Sequence, residues 1–216
     1  MKICKPKYGH GSGFILDHAN FLRKDEFIDI SNSRDIPHWH QSGVMQFVTF
    51  RLNDSIPKSK LNQFKETKEE WFKRNPRPWT FEQIIEYEDL IDNLDKWLNS
   101  GHGSCILKYD EVQRIVEDSL TYFDGVRYDL HDYIIMPNHV HMLIIPEINY
   151  SISEILHSIK SFSAHQINKI LNRKGKIWQK ESFDRMIRSH SDFFDKKEYI
   201  KHNGDFKGGT ASEPSL

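Results

Sequence analysis

Two histidines one residue apart, His139 and His141, open the apolar run His139-Val140-His141-Met142-Leu143-Ile144-Ile145-Pro146, which follows Tyr133-Ile134-Ile135-Met136 and the polar break Pro137-Asn138. Apolar runs of this kind read as buried strands, and so short a break joins them as an antiparallel pair. Strand side chains alternate between faces, so His139 and His141 share one face while Val140, Met142 and Ile144 share the other. Two imidazoles side by side on a rigid strand can hold a metal ion. The pair alone decides little, because 12 His in 216 residues give about 0.7 His-x-His pairs by chance. A second pair, His38-Trp39-His40, is indeed present. It follows a proline and has no strand pattern beside it, so surface or nucleic-acid contact is the expectation there.

Two neutral imidazoles leave a divalent cation with open positions. A third ligand of oxygen type suits Mg²⁺ or Mn²⁺ better than a closed zinc site. Such a cation can polarise a phosphate oxygen, and the reaction then needs a nucleophile. Tyr199 and Asn203 are four residues apart in a helical stretch and fall on one face, so a phenol and a carboxamide can approach the histidines together. A tyrosinate can attack a phosphodiester and conserve the bond energy as a phosphotyrosine link. Its ordinary pKa of about 10 requires a nearby metal or base.

The elements that must position these groups read as follows. Residues 1–43 are polar and interrupted by Gly9, Gly11, Gly13 and Pro37, which predicts irregular structure. Val44 to Leu52 is β-branched and aromatic, a strand. Leu61, Phe64, Lys68, Trp71 and Phe72 fit a helix stopped by Asn75-Pro76. Thr80 is an N-cap candidate for a second helix running to about Ser100, with an apolar stripe and its acids facing outward. A third helix opens at Tyr109-Asp110 and closes at Asp124-Gly125. After the strands at 127–136 and 139–146, Ser151-Ile152-Ser153-Glu154 is a capping-box signature for a helix reaching Ile170. Short extended pieces and a last helix over Asp192 to His202 complete the chain. The expected fold class is α+β: an antiparallel sheet of the strands near 44–52, 127–136 and 139–146, with packed helices. The expected division is an N-terminal segment 1–43, a domain 44–203 with a helical insertion after its first strand (about 57–124), and a flexible tail 204–216.

Composition sets the outer bounds. With 38% hydrophobic and 28% charged residues the chain reads as a soluble globular protein. No apolar run approaches the roughly 18 residues of a membrane span, and the polar start has no signal-peptide core, so a cytoplasmic protein is expected. Cys4 and Cys105 form neither a disulfide framework nor a zinc motif. The net charge of −1 argues against a non-specific nucleic-acid coat. Its distribution differs: Thr80–Asp129 carries 12 Asp/Glu against 4 Lys/Arg, whereas Ser151–Asn203 carries 11 Lys/Arg against 6 Asp/Glu. A regional positive surplus can contact phosphates in a neutral chain.

Met136-Pro137-Asn138-His139-Val140-His141-Met142-Leu143-Ile144 resembles the histidine-hydrophobic-histidine (HUH) motif of the Y1 single-strand transposases, IS200-like, and especially those associated with repetitive extragenic palindromes (REP). The likeness continues through Ser153–Phe162, Ile177–Arg188 and Glu198–Asn203, and includes Pro37-His38-Trp39 and Phe47–Leu52, so it spans roughly residues 36–203 in the family's order. The resemblance implies a ferredoxin-like, HUH-type sheet in which His139 and His141 hold Mg²⁺ or Mn²⁺. It implies that Tyr199 attacks a single-stranded DNA phosphate to give a 5′-phosphotyrosine. Asn203 stands where a polar residue commonly completes the metal site, with His202 as a competitor. The partner implied is single-stranded or hairpin DNA, which the basic region including Lys160 suits, and Arg185 and Arg188 are chosen as further DNA contacts. Monomer and homodimer both remain open. After the tyrosine helix the family usually continues with Asn-Pro, a basic residue and Ala-Gly, whereas this chain reads Asn203-Gly204-Asp205-Phe206-Lys207-Gly208-Gly209. The alternative to a transposase is therefore a domesticated, catalytically inactive DNA-hairpin-binding protein. A two-histidine metallohydrolase is a third reading.

Overall fold

The strand that carries the histidines is buried along its whole length, which only a central strand covered on both faces can be. The computed structural model of the protein accounts for this burial and describes residues 1–11, 16–23, 29–32 and 37–203. In chain order the elements are β1 (Lys7–His10), β2 (Asp29–Asn32), β3 (Pro37–His40), β4 (Gln46–Arg51), α1 (Lys58–Arg74), α2 (Phe81–Leu98), α3 (Asp110–Thr121), β5 (Tyr128–Ile135), β6 (His139–Pro146), α4 (Ile152–Ile170), β7 (Phe183–Met186) and α5 (His190–Asn203). Five strands form one antiparallel sheet in the order β1-β5-β6-β4-β7, and β2 pairs with β3 separately.

From β4 onward, strands and crossover helices alternate as in a ferredoxin-like β-α-β-β-α-β unit. The fold is thus the expected α+β class. One sheet face, through Val48, Phe50, Val140, Met142 and Ile144, packs on Val112, Val116 and Leu120 of α3 and on Ile155, Leu156 and Ile159 of α4. The other face, through Met45, Phe47, Ile134, Leu143 and Ile145, packs on Phe193 and Ile200 of α5 and on Phe21. The stretch 57–124 therefore contains helices of two kinds. The third, α3, is a crossover helix on the sheet. The first two form their own core with β7, through Phe64, Trp71, Tyr87, Leu94, Leu98, Phe183 and Met186.

Helix boundaries follow local chemistry. Ser151 Oγ accepts from Glu154 N at 3.2 Å while Ser151 N donates to Glu154 Oε2 at 2.9 Å, the expected capping box of α4. Thr80 and Gln83 exchange the equivalent bonds ahead of α2. The α5 helix begins two residues before its expected start, and Asp192 N donates to Ser189 Oγ there.

Two expectations are corrected. The polar start contains strand β1, which pairs with β5. Gly9, read as a breaker, instead permits a close approach: a Cβ there would stand 2.3 Å from the Tyr133 ring. The acids of α2 also do not all face outward. Glu82, Glu86 and Asp89 are exposed, but Glu88 is buried and ion-paired with Arg188. The expected tail 204–216 lies outside the described residues, and the backbone around His38-Trp39-His40 is the strand β3. No helix among the described residues is long and apolar enough to cross a membrane.

Candidate active site

The pairing of β4 with β6 sets Thr49 opposite His141 and Arg51 opposite His139, so these four side chains share the face covered by α5. Both histidines are fully buried. Their Nε2 atoms stand 3.0 Å apart. Their other ring nitrogens are held from outside. Asn138 Nδ2 donates to the carbonyls of Leu98 (3.1 Å) and His102 (3.0 Å), which leaves Asn138 Oδ1 as the acceptor for His139 Nδ1 at 2.7 Å. His139 therefore carries its proton on Nδ1 and keeps a lone pair on Nε2. His141 Nδ1 lies 2.7 Å from Thr49 Oγ1, a hydroxyl able to donate or accept.

Burial pushes the His139 imidazolium down to about 3, and it lowers His141 well below the usual range, with His139 and Lys196 adding repulsion. Both rings are thus neutral at pH 7, the form that ligates a cation.

Tyr199 stands beside this pair. Its ring makes an edge contact with His141 at a centroid distance of 5.3 Å and with Phe47 at 6.1 Å. Asn99 Nδ2 donates to Tyr199 Oη at 3.3 Å. Lys196, one turn earlier on α5, holds its ammonium 5.6 Å from the Tyr199 ring centroid and 4.8 Å from that of Phe47. Asn203, the last residue of α5, is buried, and its Nδ2 has no hydrogen-bond partner among the described residues. Its competitor His202 is exposed, with Nδ1 2.9 Å from the Glu198 carbonyl of its own helix.

These residues fit a hard divalent cation. A separation of 3.0 Å matches the edge of an octahedron with bonds of about 2.1 Å, which is about 3.0 Å. The Nδ2 of the buried Asn203 amide has no partner among the described residues, and an amide turned about its bond would put its oxygen there instead. Among the described residues no group of three His, Cys, Asp or Glu is arranged to hold a metal, so a cation held by the two histidines would need a further donor of another type.

The three expected DNA contacts fall in different surroundings. Lys160 lines an open cavity of about 490 Å³ between α4 and the 175–182 segment, together with His157, Lys176 and Lys180. Its ammonium donates to the carbonyls of Gln179 (3.3 Å) and Lys180 (3.2 Å). Arg185 is buried and forms a two-pronged pair with Asp192 at 3.0 and 2.5 Å. Arg188 pairs with the buried Glu88, while its backbone N–H donates to Asp192. These two guanidinium groups tie β7, α2 and the start of α5 together.

Sequence reasoning did not single out Thr49, Asn99 or Lys196, and it read Asn138 only as a turn former. Lys196 carried a signal, being three residues before Tyr199 on one helix. Thr49 and Asn99 carried none, because only strand pairing and the packing of α2 bring them here.

Residues 106–203, a little under half of the chain, match the family model described as "Transposase IS200 like". All of β5, β6, α4, β7 and α5 lie within it. Among solved structures the chain is similar to one described as "Structure of the REP associates tyrosine transposase bound to a REP hairpin", at 16% identity and a TM-score of 0.43, covering 80% of this chain and 72% of that one. No curated protein matches the chain.

Proposed function

We propose that the protein is a metal-dependent transposase that cleaves and rejoins single-stranded or hairpin DNA through a 5′-phosphotyrosine at Tyr199. The observation that carries this reading is the contact of the Tyr199 ring with His141, whose Nε2 lies 3.0 Å from that of His139. In this reading His139, His141 and Asn203 hold Mg²⁺ or Mn²⁺, which supplies Lewis-acid polarisation of the scissile phosphate.

The chain's own residues do the rest. The Tyr199 phenol gives its proton to solvent, and its oxygen forms a bond to phosphorus. The bond from phosphorus to the 3′ oxygen breaks, that oxygen takes up a proton, and the 5′ phosphate stays on Tyr199. Lys196 offsets the negative charge gathering at the phosphate. Lys160 contacts the DNA backbone from its cavity. Arg188, with 28% of its side chain exposed, and Arg185, with 9%, would contribute through the parts their ion pairs leave open.

The test incubates a hairpin oligonucleotide carrying a single-stranded flank with the protein and Mn²⁺, then looks for a covalent adduct after denaturation. An adduct is expected with wild type and none with Tyr199→Phe. Its persistence in Tyr199→Phe would remove Tyr199 from the reaction. Hairpin binding without adduct in wild type would favour the domesticated binding protein, and nucleotide release without attachment the metallohydrolase.

A further inference from the structure

The turn that closes α2 touches both halves of the candidate site. Asn99 Nδ2 donates to Tyr199 Oη, and the carbonyls of Leu98 and His102 hold the amide of Asn138, whose oxygen faces His139. Helix α2 belongs to the helical pair added to the ferredoxin-like pattern, so an added element reaches the nucleophile directly.

This turn is itself fixed. Gly101 N donates to Leu98 O at 3.1 Å, and Ser104 N to Asp54 Oδ2 at 2.9 Å. Leu107 N donates to Pro137 O at 3.1 Å, which ties the segment to the turn preceding His139. Gly103 sits at φ +94° with the Asp54 carbonyl oxygen 2.5 Å from where a Cβ would be, so the chain passes there only as glycine. Leu94 and Leu98 are fully buried and anchor the last turns of α2.

Asn99 is not placed there for stability alone. Its Oδ1 is buried with no hydrogen-bond partner among the described residues, an unfavourable arrangement that an apolar residue would avoid. The favourable part of its placement is the bond to Tyr199. That bond engages the phenol oxygen itself, whereas the contacts to His141 and Phe47 are made by the ring.

We propose that Asn99 is a positioning residue for the Tyr199 nucleophile, held by the α2 turn that also braces His139 through Asn138. The proposal rests on the reading of Tyr199 as nucleophile. Its consequence is that the turn closing the inserted helices helps to set the geometry of the reaction.

The experiment uses the full chain with Asn99→Asp, which keeps the shape and removes the N–H donor, and Asn99→Ser as a second variant. The maximal rate of adduct formation should fall roughly 10- to 100-fold in Asn99→Asp. The hairpin concentration at half-maximal rate and the Mn²⁺ dissociation constant should stay at wild-type values. A second readout avoids chemistry altogether: with 3-fluorotyrosine in place of tyrosine, the ¹⁹F resonance that disappears in Tyr199→Phe should shift in both Asn99 variants. A wild-type maximal rate with an unmoved resonance overturns the proposal, as does a parallel loss of Mn²⁺ affinity, which would mark a general structural role. If wild type forms no adduct, the reading of Tyr199 fails separately, and the resonance alone decides whether Asn99 positions the ring.

Discussion

Thr49 and His141 face each other across β4 and β6, with Thr49 Oγ1 2.7 Å from His141 Nδ1. A hydroxyl that can give or take a proton lets His141 take either tautomer while its Nε2 faces the site. Asn138 has no such freedom, because its two N–H bonds to carbonyls commit its oxygen to His139.

Removing that commitment should weaken cation binding. Asn138→Ala is expected to lower Mn²⁺ affinity roughly 10- to 100-fold, measured by electron paramagnetic resonance of free Mn²⁺. Thr49→Val should show a smaller loss. Unchanged affinity in both would remove the outer hydrogen bonds from any role in holding the metal.

The buried histidines make folding sensitive to mild acid. The His139 pKa is depressed to about 3 in the folded chain against about 6.5 unfolded, so the unfolded state binds more protons below pH 6.5. Stability is full above pH 6.5 and falls as pH drops towards 3. At pH 5 the loss is about 2 kcal/mol for His139, with His141 adding in the same direction. Urea unfolding at pH 7 and pH 5 measures this, and His139→Gln should flatten the slope.

Asp132 governs a lower window. Its carboxylate is buried and takes hydrogen bonds from Tyr8 Oη at 2.6 Å and His131 Nδ1 at 2.5 Å, with Lys197 at 3.5 Å. Burial alone would raise its pKa, but the bonds from His131 and Tyr8 and the charge of Lys197 outweigh it and bring the group down to about 2. Its contribution is present above about pH 4 and lost as pH falls towards 2. Asp132→Asn should cost about 2 kcal/mol at pH 7, read by the same unfolding curves.

Lys160 should give DNA binding a basic limb. Burial, with repulsion from Arg51, pushes its ammonium down to about 8 despite Glu181 and Asp184. A phosphate contact favours the charged form, so hairpin affinity should hold below pH 8 and weaken above it, by at most roughly tenfold per pH unit. Fluorescence anisotropy across pH 7 to 9.5 measures this. Lys160→Arg should remove the slope, and a slope surviving that change would place the titrating group elsewhere.

Much of the fold was legible because its signals are local. Alternation placed the β5–β6 hairpin and set both histidines on one face, and Ser151 and Glu154 announced α4. The miss at β1 has a physical cause: Lys7–His10 has no apolar alternation and is ordered by the exposed edge of β5, with Gly9 admitting the Tyr133 ring. The burial of Glu88 against Arg188 was missed for a similar reason. Each is an ordinary charged residue in sequence, and they meet only when α2 packs against the segment following β7.

The sequence by itself determined that two imidazoles share a strand face and that a phenol and a carboxamide share a helix face, because the periods of strand and helix are properties of the backbone. Tertiary structure alone decided that the phenol meets the imidazoles. It also supplied Thr49, Asn138, Asn99 and Lys196 around them, since strand register and helix packing bring together residues that no local spacing relates.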